Sequence, residues 1–196
     1  MVKFSSFSQK YRFFFHLLLT LFNFSFQPAF ASTHGIQIAY GMGKPDHLKG
    51  YRLSIQQFWP WAGFETSHLN VTGYWDLSVA KWRTNPPLAD QPRAIHIFAI
   101  SPLMRLQSRE AWLLSTQTYL ELGIGASFLS NHHLGHRNLG SQFAFQDLMG
   151  FGLRWRINKT LKGTLSYHYL HYSNASLFPP NQGIDVKHLW SLGCEF

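Results

Sequence analysis

Charge and cysteine are both scarce in this sequence, and each scarcity excludes a class of protein. Charged residues make up 13% of the 196 residues, about half the quarter that is typical of soluble globular domains. The one cysteine, Cys194, has no partner in the chain, which excludes a disulfide-bonded scaffold. After the N-terminal segment, no apolar run approaches the ~20 residues of a membrane-spanning helix, so a helical membrane protein is not expected.

Aromatic residues, in contrast, are abundant. They account for 17% of the chain, with 18 Phe, 8 Tyr and 7 Trp. So much aromatic surface collapses out of water, and a disordered protein is therefore excluded.

The first 31 residues have the pattern of a secretory signal peptide. A basic stretch over 3–12 precedes an apolar core over 13–26, and residues 29–31 supply an Ala-x-Ala cleavage site. Cleavage there leaves a mature domain of residues 32–196, which is exported to the bacterial envelope.

In the mature domain, apolar and polar residues alternate with a period of two. This period predicts half-apolar β-strands, and Gly, Pro and Asn clusters separate them. Eight strands are predicted, at 35–43, 51–58, 70–82, 93–101, 117–130, 141–157, 161–173 and 185–196. Pro102 predicts that the fourth strand ends or bulges there, because proline cannot donate to a ladder. The last strand is expected to carry, on one face, Val186, His188, Trp190, Leu192, Cys194 and Phe196.

Two all-β architectures fit these strands: a soluble barrel of the lipocalin type and a small transmembrane barrel. A membrane barrel needs aromatic residues near its strand ends, and the sequence has them. The chain also ends in an apolar-alternating strand that closes with Phe196, a pattern similar to the C-terminal signature of bacterial outer-membrane proteins. We therefore predict an all-β fold, an eight-stranded antiparallel transmembrane β-barrel in the outer membrane.

The topology of such barrels predicts where each strand end lies. Both termini are periplasmic and the longer loops are outside, so the seventh strand runs outward and 174–184 forms the last extracellular loop. Odd-numbered residues of that strand make its more apolar stripe, and His171 and Ser173 continue this stripe. The pair is therefore expected to face the lipid at the level of the outer leaflet.

His171 and Ser173 could supply the base and nucleophile of an esterase. Residues two apart on a strand are ~6.7 Å apart with parallel side chains, and a serine needs a base whose imidazolium is oriented by an acid. Of the acids that follow, Glu195 falls at the opposite strand end, whereas Asp185 begins the last strand beside the pair. A histidine and a serine at a solvated loop edge remain the alternative interpretation.

The run over 171–175, followed by 180–185, resembles the active-site segment of the PagL family of lipid A 3-O-deacylases. The resemblance extends to 39–41, 143–147 and 150–154. It implies an outer-membrane barrel that hydrolyses the ester-linked acyl chain at the 3-position of lipid A.

Carried over residue by residue, the resemblance implies that Ser173 is the nucleophile and His171 its base. Asp185 stands where the family usually has Glu, and its side chain reaches ~1.5 Å less far. As oxyanion donors the run offers Asn174, Ala175 and Asn181, and the resemblance points to the Asn next to the nucleophile. A turn residue is the alternative interpretation of each Asn.

Two further groups of residues carry weaker signals. His132, His133 and His136 share one loop, but the sequence places no carboxylate or cysteine near them, which favours a solvated loop over a metal site. Basic residues at predicted outer strand ends suit the phosphates and carboxylates of lipopolysaccharide, or are ordinary rim charges. They are Lys44, Lys49, Arg52, Lys81, Arg83, Arg93, Arg137 and Lys187.

These patterns together predict an outer-membrane serine esterase that removes the 3-O-linked acyl chain of lipid A. We expect no cofactor, no metal and no nucleic-acid partner. Lipopolysaccharide in the outer membrane is the expected substrate. A homodimer is possible. A non-enzymatic small barrel with a structural or adhesive role is the main alternative. An acyltransferase acting on the same lipid is a third.

Overall fold

The alternating segments form long antiparallel strands in a computed structural model, which describes residues 33–44, 46–84, 92–110 and 115–196. The predicted signal peptide, 1–31, lies outside the described residues. The strands are β1 (His34–Lys44), β2 (Leu48–Phe58), β3 (Leu69–Arg83), β4 (Ala94–Ser108), β5 (Thr116–Leu129), β6 (His133–Leu134), β7 (Arg137–Asn138), β8 (Phe143–Arg156), β9 (Lys162–Ser173) and β10 (Ile184–Glu195).

Eight of these strands close into a barrel in the order β1-β10-β9-β8-β5-β4-β3-β2. Each pairs antiparallel with its neighbours, and β1 closes the ring against β10. The predicted eight-stranded antiparallel barrel is confirmed. The two short strands β6 and β7 form a separate hairpin in the loop that precedes β8. Within the described ranges, no helix has the length and hydropathy needed to span a membrane.

The two ends of the barrel are distinct. At one end, here called the terminal end, the backbone amide of Phe196 donates to the carbonyl of His34 over 2.8 Å, so the start of β1 and the end of β10 lie there. The far end carries the turn between β1 and β2 and the loop between β9 and β10. The outward face between the two ends is apolar, as on Ile38, Leu53 and Leu122, which are 57%, 48% and 65% exposed.

Charged side chains fill the interior near the terminal end. Arg105 donates to Glu121 over 2.9 Å and to Glu195 over 2.6 Å, and its guanidinium lies 4.1 Å from the centre of the Tyr119 ring. His168 contacts the second oxygen of Glu121 at 2.5 Å. The buried Arg105, Glu121 and Glu195 are thus paired with one another, as buried ions require. The interior of the far end is apolar and includes Leu48, Trp82, Ile95, Leu170, Tyr172 and Ile184.

Removing Glu121 should destabilise the barrel strongly. Glu121→Ala leaves Arg105 and Arg154 with Glu195 as their one shared carboxylate, so that one positive charge inside the barrel is uncompensated, and we expect the free energy of unfolding to fall by about 3–5 kcal/mol. Urea titration of the protein refolded into phospholipid vesicles measures this. Glu110→Ala is the matched control, because Glu110 pairs with His68 on an exposed surface and should cost at most about 1 kcal/mol. Equal losses in both variants would contradict the role of the interior cluster.

Two expectations from the sequence are wrong. Strand β4 continues through Pro102, which pairs with Trp75 of β3, while the ladder towards β5 is interrupted at residues 101 and 102. The missing N–H of proline is therefore accommodated on one side of the strand without ending it. Arg52 does not join the rim charges: it is buried inside the barrel, where it forms an ion pair with Asp76.

Candidate active site

The predicted pair His171 and Ser173 lies at the far end of β9, on its outward face. Leu170 and Tyr172 are completely buried, whereas both residues of the pair are partly exposed. This follows from the strand period of two, which sends neighbouring side chains to opposite faces. The pair faces the surroundings of the barrel rather than its interior.

Asp185 lies directly across from His171. The two residues are cross-strand partners of β10 and β9, and Nδ1 of His171 is 2.8 Å from Oδ1 of Asp185. Both side chains are 28% exposed. A carboxylate at Nδ1 fixes the orientation of an imidazole and leaves Nε2 to act as a base.

A β-bulge in β10 brings Asp185 to this face. The register shifts by one residue between Val186 and Leu189, so that Lys187 and His188 together oppose Tyr169. A bulge of this kind re-aims the side chains on one side of it. Without it, strict alternation from the outward Trp190 would turn Asp185 into the interior.

Because of the same bulge, one prediction from the sequence is wrong. Val186 was expected to share a face with Trp190 and Leu192, but it is completely buried inside the barrel. The expected face is continuous only from His188 onwards, because the extra residue reverses the alternation before it.

Tyr169 also contacts Asp185, and the sequence did not single it out for this role. Its hydroxyl donates to Oδ1 of Asp185 over 2.5 Å, and its ring is nearly parallel to that of His171, with centroids 6.5 Å apart and an angle of 6°. Tyr169 belongs to the same outward stripe as His171, two residues earlier on β9. It therefore contacts the same carboxylate oxygen as His171 does.

A second carboxylate flanks His171 from the opposite neighbour. Asp147 of β8 is the cross-strand partner of His171, and its buried Oδ1 has no hydrogen-bond partner among the described residues. The sequence analysis did not consider Asp147 as a partner of His171, because the alternation of apolar and polar residues does not reveal the register of β8 against β9.

Gly183 lies against the His171 ring at the start of β10. A Cβ atom at this position would lie 2.6 Å from Cε1 and 3.2 Å from Nε2 of His171. Any side chain there would therefore displace the imidazole, so the residue serves the site as well as the turn.

The loop after Ser173 holds the three candidate oxyanion donors in different ways. Asn174 is completely buried, and its Nδ2 donates to the carbonyls of Leu139 and Phe178. Both amide hydrogens of that side chain are thus used to hold the loop. The backbone amide of Asn174 donates to Oδ1 of Asn181 over 2.9 Å, and Ala175 follows with a φ of 53°. The Asn181 amino group and the Ala175 amide remain the candidate donors.

Comparison with known proteins connects this geometry to one family. Residues 49–190 match the model of a family described as lipid A 3-O-deacylase (PagL), which is more than half of the chain. The chain belongs to the PagL family.

Individual relatives agree with this membership. A lipid A deacylase PagL of Pseudomonas aeruginosa is 30% identical over 140 residues, which cover 71% of this chain and 75% of that protein. The lipid A deacylase PagL of Bordetella bronchiseptica is 28% identical over 159 residues, covering 79% and 80%. A crystal structure of the outer membrane enzyme PagL has a TM-score of 0.69 at 28% identity, covering 83% of this chain and 98% of that one.

Within the PagL family pattern, the departure at Asp185 is accommodated by the strand register. Because Asp185 and His171 are directly opposite on adjacent strands, the shorter side chain still reaches Nδ1 at 2.8 Å. Glu195, the other acid considered from the sequence, lies inside the barrel and binds Arg105 and Arg154.

The histidine loop of this PagL member is tied to the turn between β1 and β2. Nδ1 of His136 lies 2.8 Å from Oδ2 of Asp46. The sequence analysis expected no carboxylate near this loop, because Asp46 is 90 residues away along the chain. The rings of His132 and His133 are 4.2 Å apart. In the part of the chain that the structure describes, no three His, Cys, Asp or Glu side chains are grouped to bind a metal ion.

Proposed function

We propose that this lipid A 3-O-deacylase is a serine esterase whose catalytic residues are Ser173, His171 and Asp185. The observation that carries the proposal is the contact of 2.8 Å between His171 and Asp185, on the outward stripe that Ser173 shares. A base oriented by a carboxylate and placed beside a hydroxyl is the arrangement that activates a serine.

The proposed reaction has two halves. Nε2 of His171 takes the proton of Ser173 as Oγ attacks the carbonyl carbon of the acyl ester, and the same proton then passes to the sugar oxygen as its bond to the acyl group breaks. Water next gives a proton to His171 and attacks the acyl-enzyme. The fatty acid leaves, and Ser173 recovers its proton.

Negative charge develops on the carbonyl oxygen in both halves. We propose that the Ala175 amide and the Asn181 amino group donate to it. The hydrogen bond from the Asn174 amide to Asn181 Oδ1 supports this, because it fixes the orientation of the Asn181 amide group. Preorganised donors of this kind stabilise an oxyanion at no reorganisation cost.

The location of the site supports a substrate that approaches within the membrane. Termini of bacterial barrels are periplasmic, so the far end belongs to the outer leaflet, where lipid A resides. An outward-facing Ser173 is then next to the acyl chains of neighbouring lipid molecules, without passage through the barrel.

Mass spectrometry of lipid A from cells with and without this chain tests the activity. We expect lipid A to lose its 3-O-linked acyl chain only in cells that produce the protein, with release of one free fatty acid. Unchanged lipid A would favour the non-enzymatic barrel. Transfer of the acyl chain to a second lipid, without free fatty acid, would favour the acyltransferase.

Tyr169 is proposed as a positioning residue for Asp185. Tyr169→Phe removes one hydrogen bond to the carboxylate, and we expect kcat to fall about 10- to 100-fold at unchanged KM, since a hydrogen bond to a charged group contributes about 1.5–3 kcal/mol. Kinetics on detergent-solubilised lipid A measure both constants.

Tyr167→Phe is the matched control, because Tyr167 lies on the same stripe but its hydroxyl contacts His188, at 2.7 Å. In an Asp185→Glu background, the loss caused by Tyr169→Phe should shrink, as a longer side chain depends less on that support. Equal effects of the two Tyr→Phe changes would contradict the positioning role.

A further inference from the structure

Three cations gather on the outward face of β2 and β3 at the far end. Lys49 and Arg83 are direct cross-strand partners, and Lys81 is the partner of Tyr51 one outward position nearer the terminal end. All three are exposed. Like charges directly opposite on a sheet destabilise it, and among the described residues none of the three forms a salt bridge. The cluster is therefore suited to binding an anion.

An apolar groove lies directly below these cations, towards the terminal end. Leu53, Val79, Phe98 and Phe128 are successive cross-strand partners across β2, β3, β4 and β5. Their side chains are 44–55% exposed, and they line a groove of about 660 Å³ that Lys81 and His96 border. This row is ~6.7 Å from Lys81 and ~13 Å from Lys49 along the strands.

The vertical order of these rows matches one class of ligand. Apolar side chains lie deepest in the membrane, Tyr51 and Lys81 come next, and Lys49 with Arg83 lies outermost. A lipid with acyl chains below a phosphorylated headgroup has the same order, and Lys and Arg bind phosphate through charge-assisted hydrogen bonds. In the outer leaflet that lipid is lipopolysaccharide.

The position of the groove separates it from the catalytic pair. In the ring of eight strands, β3 is four places from β9 in either direction, so Lys81, Arg83 and Val79 of β3 face the side of the barrel opposite Ser173, and the groove comes no nearer to β9 than β5, two strands away. An acyl chain in the groove therefore belongs to a different molecule from the one whose ester reaches Ser173.

We propose that the cations Lys49, Lys81 and Arg83, with the groove below them, form a non-catalytic binding site for the phosphorylated lipid A portion of lipopolysaccharide. The bound lipid neutralises the repulsion among the cations and covers the apolar row. The site is independent of the serine mechanism, because it requires only that the barrel lie in the outer membrane.

The test compares two variants that each lose three positive charges. Lys49→Gln/Lys81→Gln/Arg83→Gln removes the proposed site, and Arg109→Gln/Arg156→Gln/Lys159→Gln removes exposed charges at the terminal end. Native mass spectrometry of the purified full-length mature protein in neutral detergent is used to titrate 3-O-deacylated lipid A, with and without its phosphates. This probe cannot be consumed at the 3-position.

We expect the first variant to bind the phosphorylated probe at least tenfold more weakly than the wild type, and the second to bind it as the wild type does. The dephosphorylated probe should bind all three proteins equally weakly. Equal losses of affinity in both variants would show that only net charge matters, and would overturn the proposal. Unchanged affinity in the first variant would overturn it as well. A rise in KM for lipid A deacylation that parallels the lost affinity would assign the cations to the substrate site instead.

Discussion

Replacing Ser173 by alanine should reduce release of the 3-O-linked acyl chain to near background. The change removes the only attacking oxygen of the proposed mechanism, and neither His171 nor the oxyanion donors can replace it. Stability should change by no more than about 0.5 kcal/mol, because the side chain is partly exposed and lies outside the packed interior. Mass spectrometry of lipid A from cells that contain equal amounts of folded protein measures the effect.

His171→Ala provides the internal comparison. It should abolish release to the same extent, and the double variant should be hardly worse than either single one, since members of one catalytic unit are not additive. Full deacylation in Ser173→Ala cells would refute the serine mechanism while leaving the family activity in place.

Asp185→Asn should lower turnover about 10⁴-fold, the loss seen when a triad acid becomes its amide. The amide keeps the size of the side chain but cannot stabilise the imidazolium of His171, while the fold stays intact. Asp185→Glu should retain activity, because it restores the residue that the family usually has. Single-turnover kinetics on purified protein separate this loss from any change in lipid binding.

Asp147→Asn is the control that the strand register supplies, since Asp147 flanks His171 from β8 as Asp185 does from β10. We expect it to lower turnover far less, because the carboxylate at 2.8 Å from Nδ1 is that of Asp185. The reverse ranking, with Asp147→Asn the more damaging change, would make Asp147 the third member of the triad.

The parts of this molecule that depend on local periodicity could be predicted from its sequence. The strands and the outward stripe through His171 and Ser173 follow from a period of two, which holds along β9 from Thr164 to Ser173. The burial of Arg52 did not follow, because a single arginine within an alternating strand fits either face until its partner Asp76 is known.

Features that depend on pairing between strands could not be predicted in this way. The bulge at Lys187 and His188 has no glycine to mark it, and it appears only as a register shift against β9. The sequence suggested both that Asp185 serves His171 and that Val186 shares the face of Trp190, and strict alternation allows only one of these. The bulge resolves the conflict in favour of Asp185.

Side chains fill the interior of the barrel, and this determines the route by which lipid can reach the proposed site. Ion pairs occupy the barrel at one end and packed apolar side chains at the other, so under the proposed mechanism lipid would reach Ser173 by lateral diffusion, in two dimensions. The encounter rate is then set by lipid density per unit of membrane area and by the fluidity of the leaflet. Divalent cations that cross-link lipopolysaccharide into a rigid layer should therefore slow the enzyme without touching any residue of it.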